Sequence, residues 1–250
     1  GRFVLSDSSS IVQEGAGSII LKEGSSMSGL ISISATATDK TPDTGAISTG
    51  IRHTGGSGDI EIKAANLTFT GAGAGIYRGR EEASQTTTGN ITLSGSSSSI
   101  TLNNGASIVL DASNTGDFAV SAGSITLAGA DEASISSLNN RGTGTVAVSG
   151  TADVRLNAYA MLSAKGDLNI SAGTVQAKNS SILRSESNIN ISGGALTLTD
   201  SALFLQQGSG SLSISENTEE ATVPTFVISS AVAPASEGFP INTGFVHGGS

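Results

Sequence analysis

The sequence predicts an all-β chain: a single-stranded, right-handed parallel β-helix with three short strands per coil and about eight coils. The first observation is a phrase, Gly-polar-apolar-x-apolar, that recurs along the chain. Its first apolar members are Ile19, Ile60, Ile91, Phe118, Val146, Leu168, Ile189 and Leu212, separated by 41, 31, 27, 28, 22, 21 and 23 residues. Short strands repeating every 20–30 residues or so are the mark of a solenoid. The second observation is a further alternating segment 7 or 8 residues after most of these phrases, as in Leu67-Thr-Phe69, Ile125-Thr-Leu127, Val154-Arg-Leu156, Val175-Gln-Ala177 and Leu196-Thr-Leu198. After Ile91 the offset is 9, at Ile100-Thr-Leu102. The third is composition: 33 Gly, 13% charged residues and no Trp or Cys among 250 residues, about half the usual charge of a soluble domain.

Each element follows from these patterns. Period-2 alternation over short runs bounded by Gly, Ser and Asn gives strands with one buried face. A third segment completes the compact repeats, at Ile108-Val-Leu110, Met161-Leu162, Ile182-Leu183 and Leu203-Phe-Leu205. Coils rise by the interstrand distance of ~4.8 Å, so eight of them make a rod of roughly 35–40 Å. The right hand is that of parallel crossovers in general. The position before the first strand is small and polar at every coil: Ser18, Asp59, Asn90, Asp117, Thr145, Asp167, Asn188 and Ser211. Asx side chains bond to nearby backbone and suit sharp corners, so this column is expected to be an architectural ladder rather than a row of catalytic carboxylates.

Residues 1–215 form the expected repeat domain, and 216–250, with three of the four Pro, form a cap and tail. Within the tail, Val223 to Val232 reads as a final strand or cap, with a mobile tail after Ala233. Insertions at 34–58, 71–89 and 128–144 account for the wider N-terminal spacings. They are expected to cluster on one edge, where solenoids often carry binding. Gly45-Ala-Ile-Ser-Thr-Gly-Ile51 and Gly73-Ala-Gly-Ile-Tyr-Arg-Gly79 read as equivalent pieces that each close a coil.

Net charge is −9, with no Lys/Arg stripe, which argues against nucleic acid as a partner. No run of ~18 apolar residues suits membrane insertion. No cofactor, metal or catalytic constellation is legible. The two His, His53 and His247, lack companions at ligand spacing, and His53 reads as an exposed loop residue. Gly55-Gly-Ser-Gly-Asp59 is one residue short of a calcium-binding nonapeptide and occurs once. Arg52, His53, Tyr77, Arg78, Arg80, Glu81 and Glu82 are the candidate binding residues on the inserted loops, since Tyr and Arg together stack on sugars or hold carboxylates.

The phrases Gly166-Asp-Leu-Asn-Ile-Ser-Ala-Gly-Thr-Val-Gln-Ala-Lys-Asn-Ser-Ser-Ile182 and Ser187-Asn-Ile-Asn-Ile-Ser-Gly-Gly-Ala-Leu-Thr-Leu-Thr-Asp-Ser-Ala-Leu203 resemble filamentous haemagglutinin-like exoproteins of the two-partner secretion family. Autotransporter passenger domains are the neighbouring resemblance. Either implies a secreted protein of the outer cell surface, passed through an outer-membrane transporter during secretion. It also implies adhesion to a glycan or protein on a host or neighbouring cell. The resemblance covers about residues 10 to 215 and does not extend to the secretion domain or to a recognisable toxin tip of the family. A polysaccharide-active β-helix (lyase or hydrolase) using the Tyr77 loop is the alternative, and an inert spacer is the third reading.

Overall fold

The computed structural model describes residues 2–22, 29–35, 47–80, 85–215, 225–229 and 243–247. Among these, every regular element is a strand and every strand pairing is parallel. The strands stack in two sheets, a solenoid-like parallel β fold. The alternation of β-branched residues with Ser and Thr explains the choice of strand, because it fits a pleated, half-buried surface.

The repeated phrase is one continuous register column. Ile19 pairs with Ile60, Ile60 with Ile91, Ile91 with Phe118, and the series continues through Val146, Leu168, Ile189 and Leu212. Two residues on, Leu21, Ile62, Leu93, Val120, Val148, Ile170, Ile191 and Ile214 form a second inward column. The second segments align likewise, Phe3–Ile31–Leu67–Ile100–Ile125–Val154–Val175–Leu196. These columns pack on one another as a single core. The close alignment follows from period 2, since a slip of one residue would turn every Ile outward.

In five repeats the first and second segments form one long strand rather than two: Ile91–Asn103, Phe118–Ala128, Val146–Asn157, Leu168–Lys178 and Ile189–Thr199. The bend between them is a register irregularity, for example at Ala122/Ser124 and Gly150/Asp153. Gly and Ala fill the inward position at the bend (Gly95, Ala122, Gly150, Ala172, Gly193), and this lack of bulk lets the strand turn without breaking its ladder.

The second sheet collects the third segments, from Ser10–Gln13 to Gly244–His247. Its inward column is Ile11, Ile51, Ile76, Ile108, Leu138, Leu162, Leu183, Phe204 and Phe245. Phe204 is therefore inside and Leu203 and Leu205 are outside, the reverse of what a Leu-x-Leu run suggests. An edge-to-face contact with Phe245, centroids 5.2 Å apart, rewards the aromatic choice.

The insertions are shorter than the sequence suggests, because each contains a strand of this sheet: Thr49–His53 within 34–58, Ala74–Arg78 within 71–89, and Ser136–Asn140 within 128–144. Their Gly and polar content hides the alternation. The expected equivalence of two of them is real, with Gly50 opposite Gly75 and Ile51 opposite Ile76. Gly50 has φ 146°, and a Cβ there would lie 2.0 Å from the Gly75 carbonyl oxygen. In the C-terminal stretch Thr225–Ser229 pairs with Ile189–Thr199. Gly244–His247 pairs with Leu203–Gln206, so ordered strand reaches beyond the expected limit at Ala233.

At Gly116 and Gly144 the phrase glycine is a packing requirement, although Ser187 holds the same position one repeat after Gly166. A Cβ on Gly116 would stand 2.0 Å from the Gly89 carbonyl oxygen, and one on Gly144 would stand 2.0 Å from that of Gly116. Neither neighbour can yield, because both are backbone. At Gly95 the nearest atom is 3.4 Å away. Gly116→Ala should therefore cost on the order of 2–3 kcal/mol in urea unfolding followed by circular dichroism, and Gly95→Ala about 0.5 kcal/mol or less.

Candidate functional site

The chemically distinctive residues gather at the corner where the second sheet hands the chain to the next phrase. Two polar columns run along it, one outside and one inside.

The outer column is the ladder expected from the sequence. Asp59 accepts the Asn90 backbone N–H at 2.7 Å, Asn90 accepts that of Asp117 at 2.9 Å, and Asp117 accepts that of Thr145 at 2.8 Å. Asp167 accepts the Asn188 N–H at 3.1 Å and the Ser187 hydroxyl at 2.6 Å, and Asn188 accepts the Ser211 N–H at 2.9 Å. These corners thus offer a side-chain oxygen to the amide of the repeat stacked on them. The same residues' carbonyls accept the amides of Ile19, Ile60, Ile91, Phe118, Val146, Leu168 and Ile189. Bonds from Ser187 and Asn188 hold the Asp167 carboxyl below its ordinary range, outweighing the opposing effect of burial.

The inner column was not anticipated. The last inward position of the second sheet reads Gln13, His53, Arg78, Leu110, Asn140, Ala164, Ser185, Gln206 and His247. His53, Arg78, Asn140, Ser185 and Gln206 are all buried. They share one function, to satisfy backbone groups at the corner. Each of three accepts the amide two residues on: Gly55 to His53 Nδ1, Gly142 to Asn140 Oδ1 and Ser187 to Ser185 Oγ. Where Leu110 occupies the column, Asn114 takes over, accepting the Gly116 amide at 2.6 Å. The same three, and Gln206 with them, donate to a corner carbonyl: His53 Nε2 to Gly17 at 2.7 Å, Asn140 to Gly144 at 3.1 Å, Ser185 to Gly166 at 2.8 Å and Gln206 to Ser187 at 2.9 Å. A signal for this column lies in the sequence as polar-x-Gly: Gln13-Glu-Gly15, His53-Thr-Gly55, Asn114-Thr-Gly116, Asn140-Arg-Gly142 and Gln206-Gln-Gly208.

Arg78 is the centre of the cluster. Its Nε donates to Gly58 at 3.0 Å, its Nη1 lies within bonding distance of His53, Gly55 and Gly79 at 3.2, 2.9 and 3.2 Å, and its Nη2 donates to Thr88. Of the carbonyls that Gly55-Gly-Ser-Gly-Asp59 could offer a metal, those of Gly55 and Gly58 thus face the guanidinium, and those of Gly56 and Asp59 accept the amides of Thr88 and Ile19. Burial lowers the Arg78 pKa, and the nearby Asp59 carboxylate opposes that shift.

The expected surface binding cluster is therefore rearranged. His53 is not an exposed loop residue: it ends the strand Thr49–His53 and is fully buried. Tyr77 and Arg78 lie in the strand Ala74–Arg78, both buried, because Arg78 points inward and the chain around Gly79 packs over the Tyr77 ring. Arg52 pairs in register with Tyr77 and is half-buried. Arg80 lies 3.7 Å from Asp111, an acid that the sequence reading did not single out. Burial pushes the Asp111 carboxyl up, but bonds from Ser113, the Arg80 charge and the Tyr77 hydroxyl bring it below its ordinary range. Burial and that carboxylate raise the Tyr77 pKa. Glu81 and Glu82 lie outside the described residues. Arg52, Tyr77, Arg80 and Asp111 thus meet on one side of the corner, with Arg78 and His53 inside it.

Both columns are testable by stability. Arg78→Met strands several buried carbonyls and should cost about 3 kcal/mol or more in chemical denaturation, with Arg78→Lys recovering only part, since an ammonium lacks the planar fork. Asp167→Ala should cost about 1 kcal/mol at neutral pH, a figure reduced for solvent exposure, and Asp167→Asn less, because the amide keeps an acceptor oxygen. The lowered Asp167 pKa means that this contribution is present above the unfolded carboxyl pKa and fades as pH falls through the folded one. The Asp167→Asn deficit should therefore vanish in acid.

No protein-family model matches the chain, and comparison with curated proteins and with solved structures finds no similar one.

Proposed function

We propose that this chain is a stalk-like β-helical segment of a secreted or surface-displayed adhesin, with three strand faces per coil, about eight coils and its contacts on the edge that carries the insertions. The observation that carries this reading is the use made of the polar residues. Asp59, Asn90, Asp117, Asp167 and Asn188 bond along the axis to the next coil. His53, Arg78, Asn140, Ser185 and Gln206 are spent on corner backbone. Such a chain invests its polar chemistry in axial continuity, which suits a part that must hold length and display something. Outward positions add a neutral hydroxyl row in register, Ser94, Ser121, Ser149, Ser171, Ser192 and Ser215. The partner proposed is a glycan or protein of a host or neighbouring cell surface, met by Arg52 and Arg80 beside Tyr77. The experiment is a glycan array together with a cell-binding assay on the isolated chain. Binding is expected in at least one of them, falling about tenfold or more in an Arg52→Ala, Arg80→Ala double variant whose circular dichroism is unchanged. Two blank assays would count against the adhesin. Release of new sugar ends from a polysaccharide would favour a carbohydrate-cleaving enzyme instead.

A further inference from the structure

We propose that His53 is an acid-sensitive latch that locks the first corner of the solenoid, so that acidification loosens the strands Ser10–Gln13 and Ile19–Lys22 while the later coils stay closed. The latch is geometric. The ring is fully buried at the end of Thr49–His53. Its Nε2 donates to the Gly17 carbonyl at 2.7 Å and its Nδ1 accepts the Gly55 amide at 3.2 Å. Those partners fix one neutral tautomer, because a nitrogen that accepts an N–H cannot carry a proton. Protonation therefore ends the bond from Gly55 and places a second cation beside Arg78, whose Nη1 already donates to the carbonyls of His53 and Gly55.

The charged groups facing the ring are few. The Arg78 guanidinium comes from Ala74–Arg78 and opposes protonation, while the Asp59 carboxylate at the corner before Ile60–Lys63 favours it; burial is the largest influence and also opposes it. Gln13, the register partner on Ser10–Gln13, is neutral. The folded ring thus prefers its neutral form. The stability it confers is present above the unfolded histidine pKa of about 6.5 and is lost as pH falls from there toward the folded value.

The effect is confined to the first corner because of what His53 holds. Gly17 belongs to the turn that carries the chain into Ile19–Lys22, and Thr54, next to the ring, donates its amide to Gln13. From Leu110 to Gln206 the equivalent position carries groups that do not titrate, with Asn140, Ser185 and Gln206 making the corner bonds, and the column's second histidine, His247, is exposed at its far end. In a stack of nearest-neighbour contacts, opening at one end need not spread.

The same column supplies the control. Asn140 reproduces the acceptor half of the His53 arrangement and Gln206 the donor half. His53→Asn and His53→Gln should therefore retain a corner bond and remove the titration. Hydrogen exchange with mass spectrometry, corrected for intrinsic rates, would be read at about pH 7.5 and pH 5.0. In the unaltered chain, protection across residues 10–22 should fall about tenfold or more on acidification, while residues 146–206 keep theirs. The variants should show no such pH step. An equal loss in both variants, loss across all coils, or no loss in the unaltered chain overturns the proposal. Should the variants fail to fold, the ring's ¹⁵N shifts in the unaltered chain decide, and a proton on Nδ1 at neutral pH overturns it.

Discussion

The parallel ladder at the coil corner is the constraint on which everything else rests. Strands stacked at ~4.8 Å leave no room for a side chain pointed along the axis. The corner is where the chain must turn while keeping that spacing. Gly58, Gly89, Gly116, Gly144 and Gly166 meet the requirement by having no Cβ, because each would otherwise meet the carbonyl of the glycine or its neighbour below. Once the corner is set, the apolar residue two positions on has no choice of face. Ile60, Ile91, Phe118 and Val146 then fall into one column, and the core follows from register rather than from matched shapes. Bulk varies within such a column, from Val146 to Phe118.

A tight corner strands backbone groups that a helix or a flat sheet would pair. The outer ladder satisfies amides from the solvent side; the inner column satisfies amides and carbonyls from within. The inner solution is the more costly, since it places polar atoms in an apolar core where each must find a partner. Asn140 is economical because one amide serves both roles. Arg78 is the extreme case. A buried guanidinium without a bonded carboxylate is tolerable only because several carbonyl oxygens surround it and Asp59 stands nearby. Its strand ends at Arg78, and Thr87, nine residues on, bridges to Asn114. A long donor-rich side chain reaches from the strand end to the Thr88 carbonyl in a way that Ser or Asn cannot.

The sequence displayed the phrase columns, and the second-segment column from Leu67 on, because their signal is apolar alternation next to a glycine and burial leaves such a pattern intact. Phe3 and Ile31, which lack that glycine phrase beside them, do not read as members of the column. The second sheet was half legible. Ile108-Val-Leu110 alternates, but Thr49-Gly-Ile-Arg-His53 and Ser136-Ser-Leu-Asn-Asn140 do not, since their inward ends are polar. For that reason they read as parts of insertions. The same substitution of polar for apolar hid the binding candidates' true places. A His or Arg in a glycine-rich stretch looks like a loop residue, and composition carries no mark that its donors face inward. The polar-x-Gly spacing was the available clue, and its meaning depends on knowing that the glycine's carbonyl stacks on another.

The two polar columns also divide the rod into unlike halves. Toward the C-terminal end the coils are bare and their inner corners are held by Ser185 and Gln206, whose bonds are indifferent to pH and little affected by salt. Toward the N-terminal end the corners rest on His53 and Arg78, one titratable and one permanently charged, beneath a surface that carries Arg52, Arg80 and Asp111. A nearest-neighbour stack lets such halves respond separately. The charged half is also where the chain departs from the minimal repeat, so added loop length, buried cation and buried imidazole coincide within a few coils. A uniform stalk would have no physical need for that coincidence, because Asn140 and Gln206 show that neutral amides hold the corner. The N-terminal coils thus carry buried charge that the corner geometry alone does not require.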